Sequence, residues 1–257
     1  MRCRKKLKIA IIIEARMTST RLPGKIMLGV LDKPLLGHMI ERVKRSRLAD
    51  EIVIATTTNK EDDPVVTLGI VMGVKVFRGS ELDVLKRVLD AAKSVKADII
   101  VELTGDCPLN DPRLIDRAIS KYLEEYPAYN YVQLGGFWGR NRTLPNGFGA
   151  SVFSTKDLSF IERSSRDPLD REHVSLPFYS GKYPFKIFTL LFRGALRWPE
   201  LTVTLDTKED YQLIRVIFEN LYKNNPNFSC LDVINFLKKN PHLLKINKHI
   251  TRRYVKV

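Results

Sequence analysis

Cysteine is scarce and scattered. Only Cys3, Cys107 and Cys230 occur in 257 residues, an odd number with no Cys-x-x-Cys spacing, which excludes a disulfide framework and gives no zinc motif. Long apolar runs are missing as well, and no stretch has the length needed to cross a bilayer. The start, Met1-Arg2-Cys3-Arg4-Lys5-Lys6-Leu7-Lys8-Ile9, is basic and then apolar, but the apolar part is short and no small-residue cleavage site follows it, so a signal peptide is not expected. Together these absences lead to the expectation of a reduced, cytoplasmic setting. Neither Gly-x-x-x-x-Gly-Lys-Ser/Thr nor Gly-x-Gly-x-x-Gly is present, which removes two familiar phosphate-binding loops. No Asp-x-Asp motif follows a central strand. Acidic residues are lacking after Asp232, and from Val233 onward Lys238, Lys239, Lys245, Lys248, Arg252, Arg253 and Lys256 supply half of the formal charge of +14.

That imbalance raises the question of a polyanion partner. The basic segment at about 233–257 has Tyr254 but no aromatic interleaving of the kind a single-strand binder uses, and it reads as a solvated tail with no specific nucleic acid as its target. Hydrophobic residues at 44% and charged residues at 28% describe a globular chain that buries a substantial core.

Alternating strand and helix patterns fill the first half. The apolar run Ile9 to Ile13 is typical of a buried parallel strand. Leu35, Leu36, Met39, Ile40 and Val43 recur at helical spacing with basic residues on the other face. Strand patterns follow at Glu51 to Thr58, Val74 to Phe77 and Asp98 to Leu103, separated by helices starting at Asp63-Pro64 and spanning Leu82, Leu85, Val88, Leu89 and Ala92. This order predicts a three-layer α/β fold around a mostly parallel sheet. From Tyr126 to Arg142 the pattern loosens into aromatics, glycines and arginines, including Leu134-Gly135-Gly136-Phe137-Trp138-Gly139. A single domain over 1–257 with a smaller inserted lobe at about 134–200 is expected, and the lobe's aromatic content suggests a homodimer through it.

The stretch Glu14-Ala15-Arg16-Met17-Thr18-Ser19-Thr20-Arg21-Leu22-Pro23-Gly24-Lys25 follows the first strand. Two arginines, a lysine and three hydroxyl residues in one loop can surround an anion with charged and neutral donors, and Pro23-Gly24 turns the backbone so that Lys25 faces inward. Loops at the carboxyl ends of parallel strands are where α/β proteins bind ligands. Nucleotide contacts are therefore expected from Ala15, Arg16, Ser19, Arg21 and Lys25, joined by Thr57, Gly79 and Ser80 at neighbouring strand ends. Asp106, at the end of the Asp98 to Leu103 strand, fits either a metal ligand or a turn residue before the Asp111-Pro112 helix. Asp206 ends the alternating segment Leu201-Thr202-Val203-Thr204-Leu205, and Thr207 with Asp210 has capping-box spacing, so Asp206 reads as a helix cap or as a ligand.

The pattern Ile-Ile-x-Ala-Arg-x-x-Ser-x-Arg-Leu-Pro-Gly-Lys at Ile12 to Lys25 resembles the first motif of the CTP-dependent sugar cytidylyltransferases, the group that includes CMP-Kdo and CMP-sialic acid synthetases, and within it the SpsF-type branch named for spore-coat polysaccharide biosynthesis. Gly105-Asp106-Cys107-Pro108-Leu109, Asp170-Arg171-Glu172-His173-Val174 and Asp206-Thr207-Lys208-Glu209-Asp210 resemble three further motifs of that family, in order. The likeness runs from about Lys8 to His249. It implies a Rossmann-like, glycosyltransferase-A-like nucleotidyltransferase fold, transfer of a cytidylyl group from CTP with pyrophosphate leaving, and Mg2+ held by Asp106 and Asp206, with Arg16 and Lys25 as catalytic cations. Where the family has Pro-Asp-Gly-x-Asp-x-Glu-Val, this chain has Asn146, Gly149 and Ser151 in place of the acidic residues. A less acidic site near Arg140, Arg142 and Arg171 favours a small anionic acceptor, an acidic sugar or a phosphorylated acid, with Asn146, Arg171, Glu172 and His173 on the acceptor side. Two other readings stay open: a nucleotide-sugar-dependent glycosyltransferase, and a noncatalytic nucleotide or polyanion binder.

Overall fold

The computed structural model describes residues 6–137 and 140–252; Cys3, Trp138, Gly139, Arg253, Tyr254 and Lys256 lie outside them. Along the chain run β1 (Ile9–Glu14), β2 (Gly29–Val30), β3 (Lys33–Pro34), α1 (Leu35–Val43), β4 (Glu51–Thr57), α2 (Asp63–Val71), β5 (Lys75–Gly79), α3 (Val84–Ser94), β6 (Ile99–Thr104), α4 (Pro112–Glu125), β7 (Tyr131–Leu134), β8 (Ser151–Ser154), α5 (Thr155–Ser164), α6 (Pro168–Glu172), α7 (Leu176–Tyr179), β9 (Ile187–Leu190), α8 (Lys208–Leu221) and α9 (Cys230–Lys239). Seven strands form one sheet in the order β5-β4-β1-β6-β8-β7-β9. β8 runs antiparallel to both neighbours and every other pairing is parallel.

The period of two in β1 divides the core into two layers. Ile9, Ile11 and Ile13 face Leu36 and Met39 of α1, Ile115 and Ile119 of α4, and Ile214 and Ile217 of α8. Ala10 and Ile12 face Leu85 and Val88 of α3 and Leu158 and Ile161 of α5. Each fully buried Ile or Leu contributes roughly 1.5–3 kcal/mol against its exposed state, so both sheet faces must be covered, and the three-layer α/β fold follows.

Residues 134–200 carry β8, α5 to α7 and β9, and both strands belong to the main sheet. The excursion supplies one sheet edge and the helices α5 to α7. Two surface assignments are corrected. Leu82, placed by its spacing on the apolar face of a helix, precedes the N-cap Asp83 of α3 and is 85% exposed. Arg42, expected on the solvent face of α1, is buried and donates to the carbonyls of Leu109, Asn110 and Phe228 at 3.0–3.1 Å while stacking on the Phe228 ring. Its guanidinium supplies donors that the α4 approach and the turn before α9 otherwise lack.

The described part of the basic segment is not a solvated tail. Val233, Ile234 and Leu237 of α9 are buried, and Arg252 closes on the buried Asp210 with two 2.7 Å bonds, joined there by Asn247 at 2.8 Å. A fork of this kind satisfies both carboxylate oxygens at once, which orders the chain beyond α9.

Candidate active site

Glu14 ends β1 beside Thr104, the last residue of β6, so the loops that leave these two strands are neighbours. Gly105 donates its N–H to the Glu14 carbonyl at 2.8 Å, and a Cβ at Gly105 would lie 2.9 Å from that oxygen. Glycine is what allows the crossing. In the loop after β1, the Met17 carbonyl accepts from the N–H groups of Ser19 and Gly24, both at 2.9 Å, and Gly24 has φ +69°. The turn ends in a 3-10 segment, Lys25–Met27, that carries Lys25 inward.

Lys25 Nζ lies 2.9 Å from Asp206 Oδ1 and 3.3 Å from Asp106 Oδ2. Arg21 Nη2 reaches the same Asp206 oxygen at 2.7 Å, and Thr104 donates its hydroxyl to Asp106 Oδ1 at 2.7 Å. Burial disfavours the Lys25 charge, but Asp106 and Asp206 more than offset it and the ammonium is held above its ordinary range. Helix capping at α8 falls to other groups: Thr207 and Asp210 form a complete capping box, which leaves the Asp206 carboxylate to the cations.

Arg16, Thr18 and Asn59 gather around Glu81, which the sequence reading missed. Its carboxylate accepts from Thr18, receives Asn59 Nδ2 at 2.6 Å and pairs with Arg16 Nη1 at 3.7 Å. These hydrogen bonds, Thr18 first, hold it below the usual carboxylate range. Asp62, also missed and fully buried, accepts from Met17 N at 2.7 Å and from Thr57, fastening the loop to the end of β4. Thr57 is thereby corrected from nucleotide ligand to scaffold: it is fully buried and its hydroxyl serves Asp62 and Asn59 N. Ala15 is buried beneath the loop, with its N–H on the Ala55 carbonyl. Gly79 and Ser80 lie at the end of β5, where Ser80 Oγ accepts from Asp83 N.

Beside Asp106 opens a cavity of about 640 Å³, lined by its neighbours Thr104 and Cys107 and by Arg140, Arg142, Asn146 and Gly149 among others. Arg142 Nη1 holds Asn146 Oδ1 at 2.9 Å. Burial brings Arg142 down to about 10, and burial pushes the Cys107 thiol up, so Cys107 is no thiolate nucleophile.

Of the four residues expected on the acceptor side, the cavity takes Asn146 and not Arg171, Glu172 or His173. The Asp170 to Val174 motif folds as α6 and its exit. Arg171 turns away, to the Glu162 and Ser165 carbonyls at 2.6 and 2.9 Å and to Asp83 at 3.3 Å. Asp167 caps α6, and Asp170 is buried against Ser165 and Lys182. Glu172 is exposed, and His173 follows the helix as its C-cap. The motif joins α3, α5 and α6, and the residue that follows it, Ser175, lines the cavity.

A mostly parallel sheet with a cationic loop after its first strand, closed by Asp106 and Asp206 on one lysine, is where an α/β protein binds a ligand. The chain belongs to the cytidylyltransferase family, whose model matches residues 10–244. It is 33% identical to the spore coat polysaccharide biosynthesis protein SpsF of Bacillus subtilis over 91% of this chain and 95% of that one, and the likeness is of the SpsF type. It is 34% identical to the 3-deoxy-manno-octulosonate cytidylyltransferase of Chloroherpeton thalassium, over 84% and 91% of the two chains. Among solved structures, a cytidylyltransferase from Leptospira borgpetersenii superposes with a TM-score of 0.86 at 34% identity, covering 97% of this chain and all of that one.

Proposed function

We propose that this cytidylyltransferase moves the CMP unit of CTP onto a hydroxyl of a small acidic acceptor, a sugar acid before a phosphorylated acid, releasing pyrophosphate and using Mg2+. The observation that carries the reading is the single ammonium of Lys25 between Asp106 and Asp206, next to a cavity that also holds Arg140 and Arg142. The acceptor oxygen bonds to the α-phosphorus as the bond to the bridging oxygen of the β-phosphate breaks, and the hydroxyl proton passes to solvent. Arg16, Arg21 and Lys25 steady the triphosphate and the departing pyrophosphate, with Ser19 as a neutral donor.

Asp106 and Asp206 fit a magnesium ion. Both are oxygen donors that face the same Lys25 ammonium, and among the described residues no third His, Cys, Asp or Glu completes a protein-only cage, which suits an ion that keeps waters and takes phosphate oxygens. When bound, the ion supplies Lewis-acid stabilisation of charge on the phosphate and acceptor oxygens. No histidine is needed as a base: His38 is buried on the Val30 carbonyl at 2.7 Å.

The test offers each of the four nucleoside triphosphates with a panel of acceptors that includes 3-deoxy-manno-octulosonate, and follows pyrophosphate and product mass. CTP with a sugar acid giving a cytidylated product supports the reading. Product formed only on neutral alcohols, or consumption of a nucleotide sugar in place of CTP, overturns it. A homodimer through the 134–200 excursion belongs to the same proposal, supported by the exposed Phe160, Leu169 and Leu191; a monomer in light scattering at micromolar concentration would refute it.

A further inference from the structure

One wall of the acceptor cavity breaks the rule that buried sheet faces are apolar. On the face that carries Ala10, Ile12, Ile100 and Phe153, three polar residues stand in register across adjacent strands: Glu102 of β6 opposite Ser151 of β8, and Ser151 opposite Gln133 of β7. All three line the cavity. Ser175 donates its hydroxyl to Glu102 and lies 3.1 Å from Ser151 Oγ, while the Tyr131 hydroxyl donates to Gln133 Oε1 and lies 2.8 Å from Ser151 Oγ. The hydroxyls form a row that reaches Glu102 through Ser175. Glu102 is only 9% exposed, and the Glu14 carboxyl, two positions along the neighbouring strand from the residue opposite Glu102, stands within hydrogen-bonding reach of it. Glu14 Oε1 is buried with no protein partner. Burying two carboxyls and a serine hydroxyl on one sheet face, against a second serine hydroxyl from the loop before α7, is costly and adds nothing to packing, so the row is accounted for by what enters the cavity.

We propose that this wall is the subsite for the hydroxyl-bearing end of the acceptor, with Glu102 accepting a hydrogen bond from that end and excluding an acceptor that carries a second anionic group there. The proposal rests on the acidic-acceptor reading above and narrows it, since it favours a polyhydroxylated sugar acid over a phosphorylated acid. Arg140 and Arg142 serve the acid end in the same cavity, and the carboxylate wall serves the polyol.

The discriminating experiment is calorimetric titration of the full chain without divalent ion, so that nothing turns over. Its probes are CTP, 3-deoxy-manno-octulosonate and the 8-phosphate ester of that sugar acid. Wild type binds the sugar acid in preference to the ester. Glu102→Gln narrows this preference by about tenfold or more, the scale of one lost charge-assisted hydrogen bond, and leaves CTP affinity unchanged. Gln133→Ala, at the far side of the row, weakens the sugar acid and not CTP, which keeps the test decisive should Glu102→Gln fail to fold. If the ester binds wild type as well as the sugar acid does, or if both variants leave the preference intact, the subsite is overturned and the acidic acceptor stands. If CTP binds and neither acid does, the acidic-acceptor reading falls and takes the subsite with it.

Discussion

Lys25 Nζ and Asp206 Oδ1 lie 2.9 Å apart although 181 positions separate them in the chain. The contact joins the loop after β1 to the residue before the α8 cap, and the same ammonium reaches Asp106 at 3.3 Å. One cation thus holds together three segments of the chain.

Lys25→Met is expected to lower turnover with CTP by about 100-fold, comparable to removing one preorganised donor from a developing oxyanion. Steady-state kinetics at saturating CTP check this. A variant that loses only CTP affinity, with turnover at saturation intact, would reduce Lys25 to a ground-state binder.

The Glu14 and Glu102 pair makes stability depend on pH in a stated direction. Burial first, then the charge of Glu102, raises Glu14 well above its ordinary 4.5. The folded chain keeps a proton that the unfolded chain gives up near that ordinary value, so stability falls as pH rises from there through the raised folded value. Glu14→Gln is neutral throughout and should flatten this decline, with a melting temperature at about pH 8 at least about 2 °C above that of wild type. Parallel melting curves for the two proteins across the same range would contradict the proton kept on Glu14.

Arg171→Ala is predicted to act on stability and not on the acceptor. It leaves the Glu162 and Ser165 carbonyls without their guanidinium donor, a loss of about 1–3 kcal/mol, while the Michaelis constants for CTP and acceptor stay as they were. A rise in the acceptor constant alone, with melting unchanged, would return Arg171 to the acceptor side.

The fold and the elements that carry the candidate site were largely legible because their signals are local. A buried strand, a cationic loop and the Thr207 and Asp210 capping box each occupy a few consecutive residues, and β1, the loop after it and the α8 cap stand where those patterns place them. What escaped was pairing at a distance. Arg42 looks like any basic residue on an amphipathic helix until the chain returns at Phe228 to offer it a carbonyl and a ring. Arg171 sits in a motif whose letters match a family, and nothing in those letters reveals that its guanidinium faces Asp83 and α5. Glu102 left a trace, a carboxylate within an apolar strand, but its meaning depends on Ser151 and Gln133 standing in register on β8 and β7. Ser175 had no such signal, because a loop serine acquires its role only where the loop lands.

The most direct measurement of the central claim sets Asp206→Asn beside Thr207→Ala, which alters the adjacent helix cap, and reads pyrophosphate release with CTP and a sugar acid together with thermal melting. The account predicts that Asp206→Asn loses about 100-fold or more in turnover at unchanged melting temperature, and that Thr207→Ala loses about 1 kcal/mol of stability with turnover retained. An Asp206→Asn protein that melts lower and still turns over at the wild-type rate would contradict it, and would make Asp206 a structural residue at the start of α8.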